Sequence, residues 1–381
     1  MGLLERLAEL VSFDTQNPEG DEKPLVRKLA RELSALGAAA VDEVEVGAHA
    51  YVYARFGGER PTLLLNAHVD TVPANSGYSS PPHILVRRGD RLHGLGAADT
   101  KGAIAAILEA LAGQVSPAAQ AAAAGREALA AAPSGGRPHV GVLFSGDEER
   151  SGTCIRAFLD SDAARGLTRA IVCEPTGCRV GVRHRGIAAA TATVEGPGGH
   201  SSRVDGLVNP IAVLARAAVA LDDWAAAEKP RGPAGFEGLC LNVASLDGGL
   251  AFNVVPTRGT LSVSLRPAPG ADVAALLAEA ERRVRAAAAP HAVAWKVEMQ
   301  NPPFATRALG AFARFLGAPC EQAVDLGFWT EAARLSERGI DAVVFGPGVV
   351  EQAHAADEHV EIGQLESARA TFTHVLEAVA R

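Results

Sequence analysis

Five short, almost continuous apolar runs constrain this chain more than any other feature: Ala50–Phe56, Thr62–Asn66, His139–Phe144, Arg169–Cys173 and Ala342–Phe345. Runs of strand length without polar alternation belong in strands buried on both faces. Several are separated by stretches of helical spacing, such as Lys101–Leu111 and Ser151–Leu159. The pattern predicts an α/β domain in which a mainly parallel sheet is sandwiched by helices. Leu3–Val11 and Lys23–Leu36 are expected as two amphipathic helices ahead of the first strand.

Between about residues 180 and 299 the pattern changes. Ile187–Val194, Leu239–Leu246, Gly259–Leu265 and Ala292–Glu298 read as strands, and Pro210–Ala226 and Val273–Ala288 as helices. That is β-α-β-β-α-β, the ferredoxin-like order. The parallel-sheet pattern then resumes, so residues 180–299 are expected as a domain inserted into one formed by 1–179 and 300–381. A chain of 381 residues is long enough for two such cores. The Ala/Gly/Pro/Ser-rich stretch 114–137 is expected as a surface insertion.

With 44 acidic against 36 basic residues, the net charge of −8 offers no basic face for nucleic acid or an anionic membrane. Glu5 and Arg6 interrupt the stretch where a signal peptide needs an apolar run, and no segment of about 18 apolar residues reads as a membrane span. The five cysteines form no C-x-x-C pair, and their odd number fits a reduced cytoplasm. A cytoplasmic location is expected.

The polar residues of interest follow the strands: His68-Val69-Asp70, then Asp147-Glu148-Glu149, then Glu174, with His354 beyond Gly346-Pro347-Gly348. Ligand sites in open parallel sheets lie outside the carboxyl ends of the strands, so these segments can converge on one crevice. Asp99 precedes a helix and reads in isolation as an N-cap; His68 alone reads as a core histidine, and Glu148-Glu149 as a solvated helix start. Taken together on one sheet edge, two histidines and several carboxylates form an N/O donor set suited to zinc, and less selectively to cobalt or manganese. In an extended His68-Val69-Asp70 the first and third side chains share a face, so Asp70 is expected to orient the imidazole through its second nitrogen.

These residues resemble the zinc amidohydrolase family of acetylornithine deacetylase, succinyl-diaminopimelate desuccinylase, aminoacylase and carboxypeptidase G. The similarity runs through Val11–Pro18, His68–Pro73, Asp99–Gly102, Asp147–Glu149, Glu174–Thr176, Gly199–Ser202, Asn253–Pro256 and the segment of His354, in family order. It implies two zinc ions per subunit, with His68 and Glu174 on one, Glu149 and His354 on the other, and Asp99 bridging. It also implies Glu148 as general base, and His200 as an oxyanion donor supplied by the partner subunit of a homodimer. Arg266 resembles the family arginine that pairs with a substrate carboxylate, with Asn253 as a weaker helper.

The segments Phe328–Ala332 and Gln352–Glu358 look most like the acetylornithine and acetylcitrulline deacetylase branch. The substrate expected is therefore an N-acetyl amino acid, N2-acetyl-L-ornithine first or else N-acetyl-L-citrulline, hydrolysed to acetate and the free amino acid in arginine biosynthesis, with succinyl-diaminopimelate desuccinylation or a general aminoacylase or metallopeptidase activity as the alternative. A metal-binding protein without catalysis is the reading from another class, and the spare carboxylate of Glu148 argues against it. Selectivity for an ornithine ammonium requires a carboxylate in the side-chain pocket, and Glu331 is the candidate.

Overall fold

The computed structural model describes residues 2–58, 60–114 and 138–380, which leaves the stretch expected as an insertion outside the described residues from 115 onward. The chain forms two compact units: residues 1–182, 306–324 and 330–381, and residues 183–305 with 325–329.

In the first unit the strands run in the order Ala40–Val46, His49–Phe56, Val140–Ser145, Leu63–His68, Arg169–Val172 and Asp341–Val344. The last four are mutually parallel, and the first two join antiparallel at one edge. Leu63–His68 and Val140–Ser145 are buried at every residue, which requires cover on both faces. The helix Gly102–Gln114 is apolar nearly all round and packs against Ile362–Ala378 and Leu3–Val11. The run Ala50–Phe56 is as buried as the parallel strands, but the hairpin to Ala40–Val46 reverses its direction.

The second unit is a four-stranded antiparallel sheet in the order Asn242–Gly248, Arg258–Leu265, Ile187–Glu195, Ala294–Asn301. Helices Pro210–Glu228 and Val273–Ala288 cover the face built from Ala188, Ala190, Ala192, Val194, Leu261, Val263 and Leu265. Asn209 caps the first helix by accepting from Ile211 N and Ala212 N, and Asp272 caps the second by accepting from Ala275 N. This is the ferredoxin-like arrangement. The strand expected at Leu239–Leu246 begins only at Asn242, because Cys240 stands at φ 46 and breaks the extended run. The segment 325–329 joins this unit through contacts that include three made by side chains: Arg183 holds the Asp325 carboxylate with both Nε and Nη2 at 2.8 Å, Trp329 Nε1 donates to Pro302 O at 3.0 Å, and the Trp329 ring stands edge-on to His184. The periodicity of either segment says nothing of such pairs. Among the described residues no helix is long and apolar enough to cross a membrane, and the five cysteines are free thiols.

Candidate metal centre

Strand register assembles the centre. Leu63–His68 is parallel to Val140–Ser145 with His68 opposite Ser145, and parallel to Arg169–Val172 with Asn66 opposite Val172. Three strands therefore end together, and His68, the Asp147–Glu149 turn and Glu174 emerge at one edge. Asp99 arrives from the turn Ala97–Lys101, where its backbone (φ −124°, ψ 88°) is not helical. Its carboxylate is directed to His68 and not to the following helix: His68 Nε2 lies 2.9 Å from Asp99 Oδ1. His354, at φ 60, approaches from the last loop, with Nε2 3.1 Å from Glu149 Oε1 and 3.5 Å from Asp99 Oδ2. One carboxylate thus faces both histidines, and the ligand atoms of His68, Asp99 and Glu149 lie within 4.8 Å of one another.

The loops are held by contacts that the sequence does not announce. The buried Glu358 carboxylate accepts from Gly96 N (2.8 Å), Ala98 N (2.9 Å) and Asp99 N (3.0 Å), which fixes the turn carrying Asp99. Gly348, at φ 86, passes so close that a Cβ there would stand 2.8 Å from Ala98 Cβ. Gly177 N and Cys178 N donate to Gly348 O and Gly346 O, tying the Glu174 loop to the loop that leads to His354.

The electrostatics show what the cluster needs. Burial, then the charges of neighbouring carboxylates such as Asp99 and Glu149, pushes Glu174 and Glu148 well above the usual carboxyl range. Hydrogen bonds to Asp99 and Glu149 push the His354 imidazole up to about 10. Burial opposes protonation of His68, but Asp70, Asp99 and Glu174 together outweigh it. Burial also opposes ionisation of Asp99, yet the two histidines hold its carboxyl below the usual range. Crowded carboxylates with two imidazoles and no arginine or lysine in ion-pair contact among the described residues form a set that divalent cations would neutralise. The donor chemistry, nitrogen and oxygen without thiolate, suits zinc.

Two expectations need correction. Asp70 orients His68 by another route: His68 Nδ1 donates to the Asp70 backbone carbonyl at 2.9 Å, while the carboxylate stands 3.6 Å away. That carboxylate instead accepts Glu148 N and Glu149 N, each at 3.1 Å, so it shapes the turn of the proposed base. Glu331 does not offer an open carboxylate to a side-chain pocket. It is 1% exposed, and its Oε2 accepts from Asn66 Nδ2 (2.7 Å) and Ser145 Oγ (2.8 Å).

The remaining three residues lie in the second unit. His200 and Asn253 are neighbours on a short ladder in which His200 pairs with Val254 and Ser201 N donates to Asn253 O at 3.0 Å. His200 is exposed, and its Nδ1 lies 2.7 Å from Ser202 Oγ and 3.2 Å from Ser202 N, so the ring is tied to its own turn through Nδ1. Arg266 is also exposed, but it follows the far end of Arg258–Leu265, and an eight-residue strand is roughly 25 Å long.

Comparison with known proteins agrees with this geometry. Residues 64–121 match Peptidase family M20/M25/M40, and residues 182–292 match the Peptidase dimerisation domain. An N-acetyl-L-citrulline deacetylase of Xanthomonas campestris pv. campestris is 35% identical over 95% of this chain and 94% of its own length. A succinyl-diaminopimelate desuccinylase of a Methylobacterium species is 32% identical over 86% of this chain and 83% of its own. In fold, an M20 family metallo-carboxypeptidase from Sulfolobus solfataricus superposes with a TM-score of 0.75 at 16% identity, covering 99% of both chains.

Proposed function

From its membership of peptidase family M20/M25/M40, which makes this chain a metal-dependent amidohydrolase, we propose that it removes the acetyl group of an N-acetyl-L-amino acid in arginine biosynthesis, with N-acetyl-L-citrulline as the substrate the observations favour. The observation that carries this reading is the carboxylate–imidazole cluster with Glu148 beside it. His68, Asp99, Glu149, Glu174 and His354 would hold two zinc ions, or cobalt in their place, with Asp99 shared. Bound there, the metals supply Lewis-acid polarisation of the scissile carbonyl and acidify water. Glu148 accepts the proton of the attacking water as its oxygen bonds the acyl carbon, and returns that proton to the amine as the C–N bond breaks and acetate leaves.

His200 Nε2–H donates to the developing oxyanion in the partner's site, and Arg266 receives the α-carboxylate, with Asn253 beside His200 as a helper. Two points support the division between subunits. The family's dimerisation domain covers both residues, and the length of the strand Arg258–Leu265 separates the His200–Asn253 ladder from Arg266. The preference for citrulline over ornithine rests on Glu331. An ammonium side chain needs an accessible carboxylate, and Glu331 is 1% exposed with its Oε2 bound by Asn66 and Ser145, whereas a neutral ureido group has no such need. The desuccinylase relative supports desuccinylation as the second reading.

Amine release from N-acetylcitrulline, N-acetylornithine and N-succinyl-diaminopimelate, with and without chelator, tests the assignment. Chelator-sensitive turnover is expected to be highest for acetylcitrulline and lowest for the succinylated compound. A lead for the succinylated compound would sink the deacetylase reading, and a lead for acetylornithine would move the ammonium's partner to another residue.

A further inference from the structure

We propose that Asn17 is a positioning residue for catalysis: its single amide cross-links Asp70 and Asp147 and so sets where the Glu148–Glu149 turn stands over the metal ligands. This rests on the reading of Glu148 as general base. The Asn17 Nδ2 group donates to Asp70 Oδ2 and to Asp147 Oδ1, both at 3.1 Å. Asp70 and Asp147 are both essentially inaccessible to water, and each has a different hold on the turn. Asp70 receives the amides of Glu148 and Glu149, while Asp147 is the residue from which the turn departs, at φ 60. A bond between the two carboxylates would be repulsive; a neutral amide with two N–H donors joins them without adding charge.

The orientation of that amide follows from the same chemistry. Turned over, its oxygen would face two carboxylates; as it stands, Nδ2 faces them and Oδ1 finds no partner among the described residues. An orphaned buried acceptor is tolerated only where the opposite arrangement is worse. The backbone holds the side chain in place, with Asn17 N donating to Thr71 O at 2.8 Å and Thr71 N to Thr15 O at 3.0 Å. From the other side Asp147 is gripped by Thr153, whose N and Oγ1 donate to Oδ2 at 3.0 and 2.6 Å, and its own N donates to Glu22 Oε2 at 3.3 Å. Glu22 reaches that place because residue 146 is glycine: a Cβ there would lie 2.2 Å from the Glu22 carboxylate. Among the described residues no other side chain is hydrogen-bonded to both carboxylates: Thr153 and His49 reach only that of Asp147.

The test uses the metal-loaded enzyme and the panel substrate that the wild type cleaves fastest. Asn17→Ala is expected to lower kcat about 10²-fold, the scale of a 1 Å misplacement, with KM and metal content per subunit within about twofold of wild type. In a Glu148→Gln background the same substitution should cost less than about threefold more, because both changes remove the work of one carboxylate. Asn17→Ser keeps one donor, can serve only one of the two aspartates, and is expected about tenfold down in kcat; it carries the same test if the alanine variant fails to fold. Wild-type kcat in either variant overturns the proposal, as does metal loss that accounts for the decline, or a full multiplicative loss in the Glu148→Gln background. Substantial activity in Glu148→Gln alone instead overturns the reading of the base, so the two failures are distinguishable.

Discussion

In the first unit the charged groups of the candidate site are packed against one another and largely withdrawn from water: Asp99 between two histidines, Glu174 buried, and Asp70 receiving three N–H donors. In the second unit His200 and Asn253 stand in solvent, and the loop beside them exposes Leu250 and Phe252 completely. A cluster of buried like charges must be satisfied by its own chain and its cations. An exposed histidine such as His200 has no such constraint. One region is thus packed and largely self-satisfied, and the other open to solvent.

The sharpest way to break that contrast is at Glu148. Glu148→Gln preserves shape and removes the proton acceptor, so kcat should fall about 10²–10⁴-fold while metal content persists. His68→Ala should lower metal occupancy itself, since its Nε2 faces the Asp99 carboxylate at the heart of the cluster. Metal analysis of both proteins separates the roles; loss of metal in Glu148→Gln would make that residue a ligand.

For the exposed region, His200→Ala should depress kcat by about 10²–10³-fold with little change in KM, the mark of a transition-state contact. Mixed with Glu148→Gln subunits, it should regain activity, because a hybrid dimer holds one site with an intact base and an intact histidine. Absence of recovery despite demonstrated subunit exchange would return His200 to its own chain's site or remove it from catalysis. Arg266→Ala, at the other end of the strand, should instead raise KM by about tenfold and leave metal content alone. A kcat effect without a KM effect would remove it from carboxylate binding.

The same contrast explains what was legible in the sequence. Residues at strand ends declare themselves, because the apolar run, its length and the polar residue that follows are local: His68, Glu174 and the Asp147–Glu149 turn were found in this way. The ferredoxin-like order was equally local, apart from the strand start displaced by Cys240. Residues that act through contacts between distant segments left no such trace. Asn17 reaches Asp147 across 130 positions, and Glu358 reaches Ala98 across 260. The only available hints were an asparagine before proline in a loop, and an acid in the segment that carries His354. Glu331 is legible only as an acid near the expected pocket, because a carboxylate there looks the same in sequence whether it faces substrate or is buried with Oε2 bound by Asn66 and Ser145.

Glu331 also provides the smallest and most diagnostic effect. Burial pushes its carboxyl up to about 7 from an ordinary 4.5, with Ser145 only partly opposing the shift. The folded state thus holds the proton more tightly than the unfolded chain. The resulting stability is fully present below about pH 4.5 and is lost as the pH rises toward about 7. A shift of that size corresponds to roughly 3 kcal/mol between the two limits. Glutamine imitates the protonated form, so Glu331→Gln should match the wild type in melting temperature at pH 4 and exceed it by several degrees at pH 8. Its kcat/KM ratio between acetylcitrulline and acetylornithine should stay unchanged, because the carboxyl is buried, with Oε2 held by Asn66 and Ser145. Equal melting temperatures at pH 8 would show that Glu331 is ionised without penalty. A selective loss of acetylornithine turnover would return it to the side-chain pocket and undo the preference for citrulline.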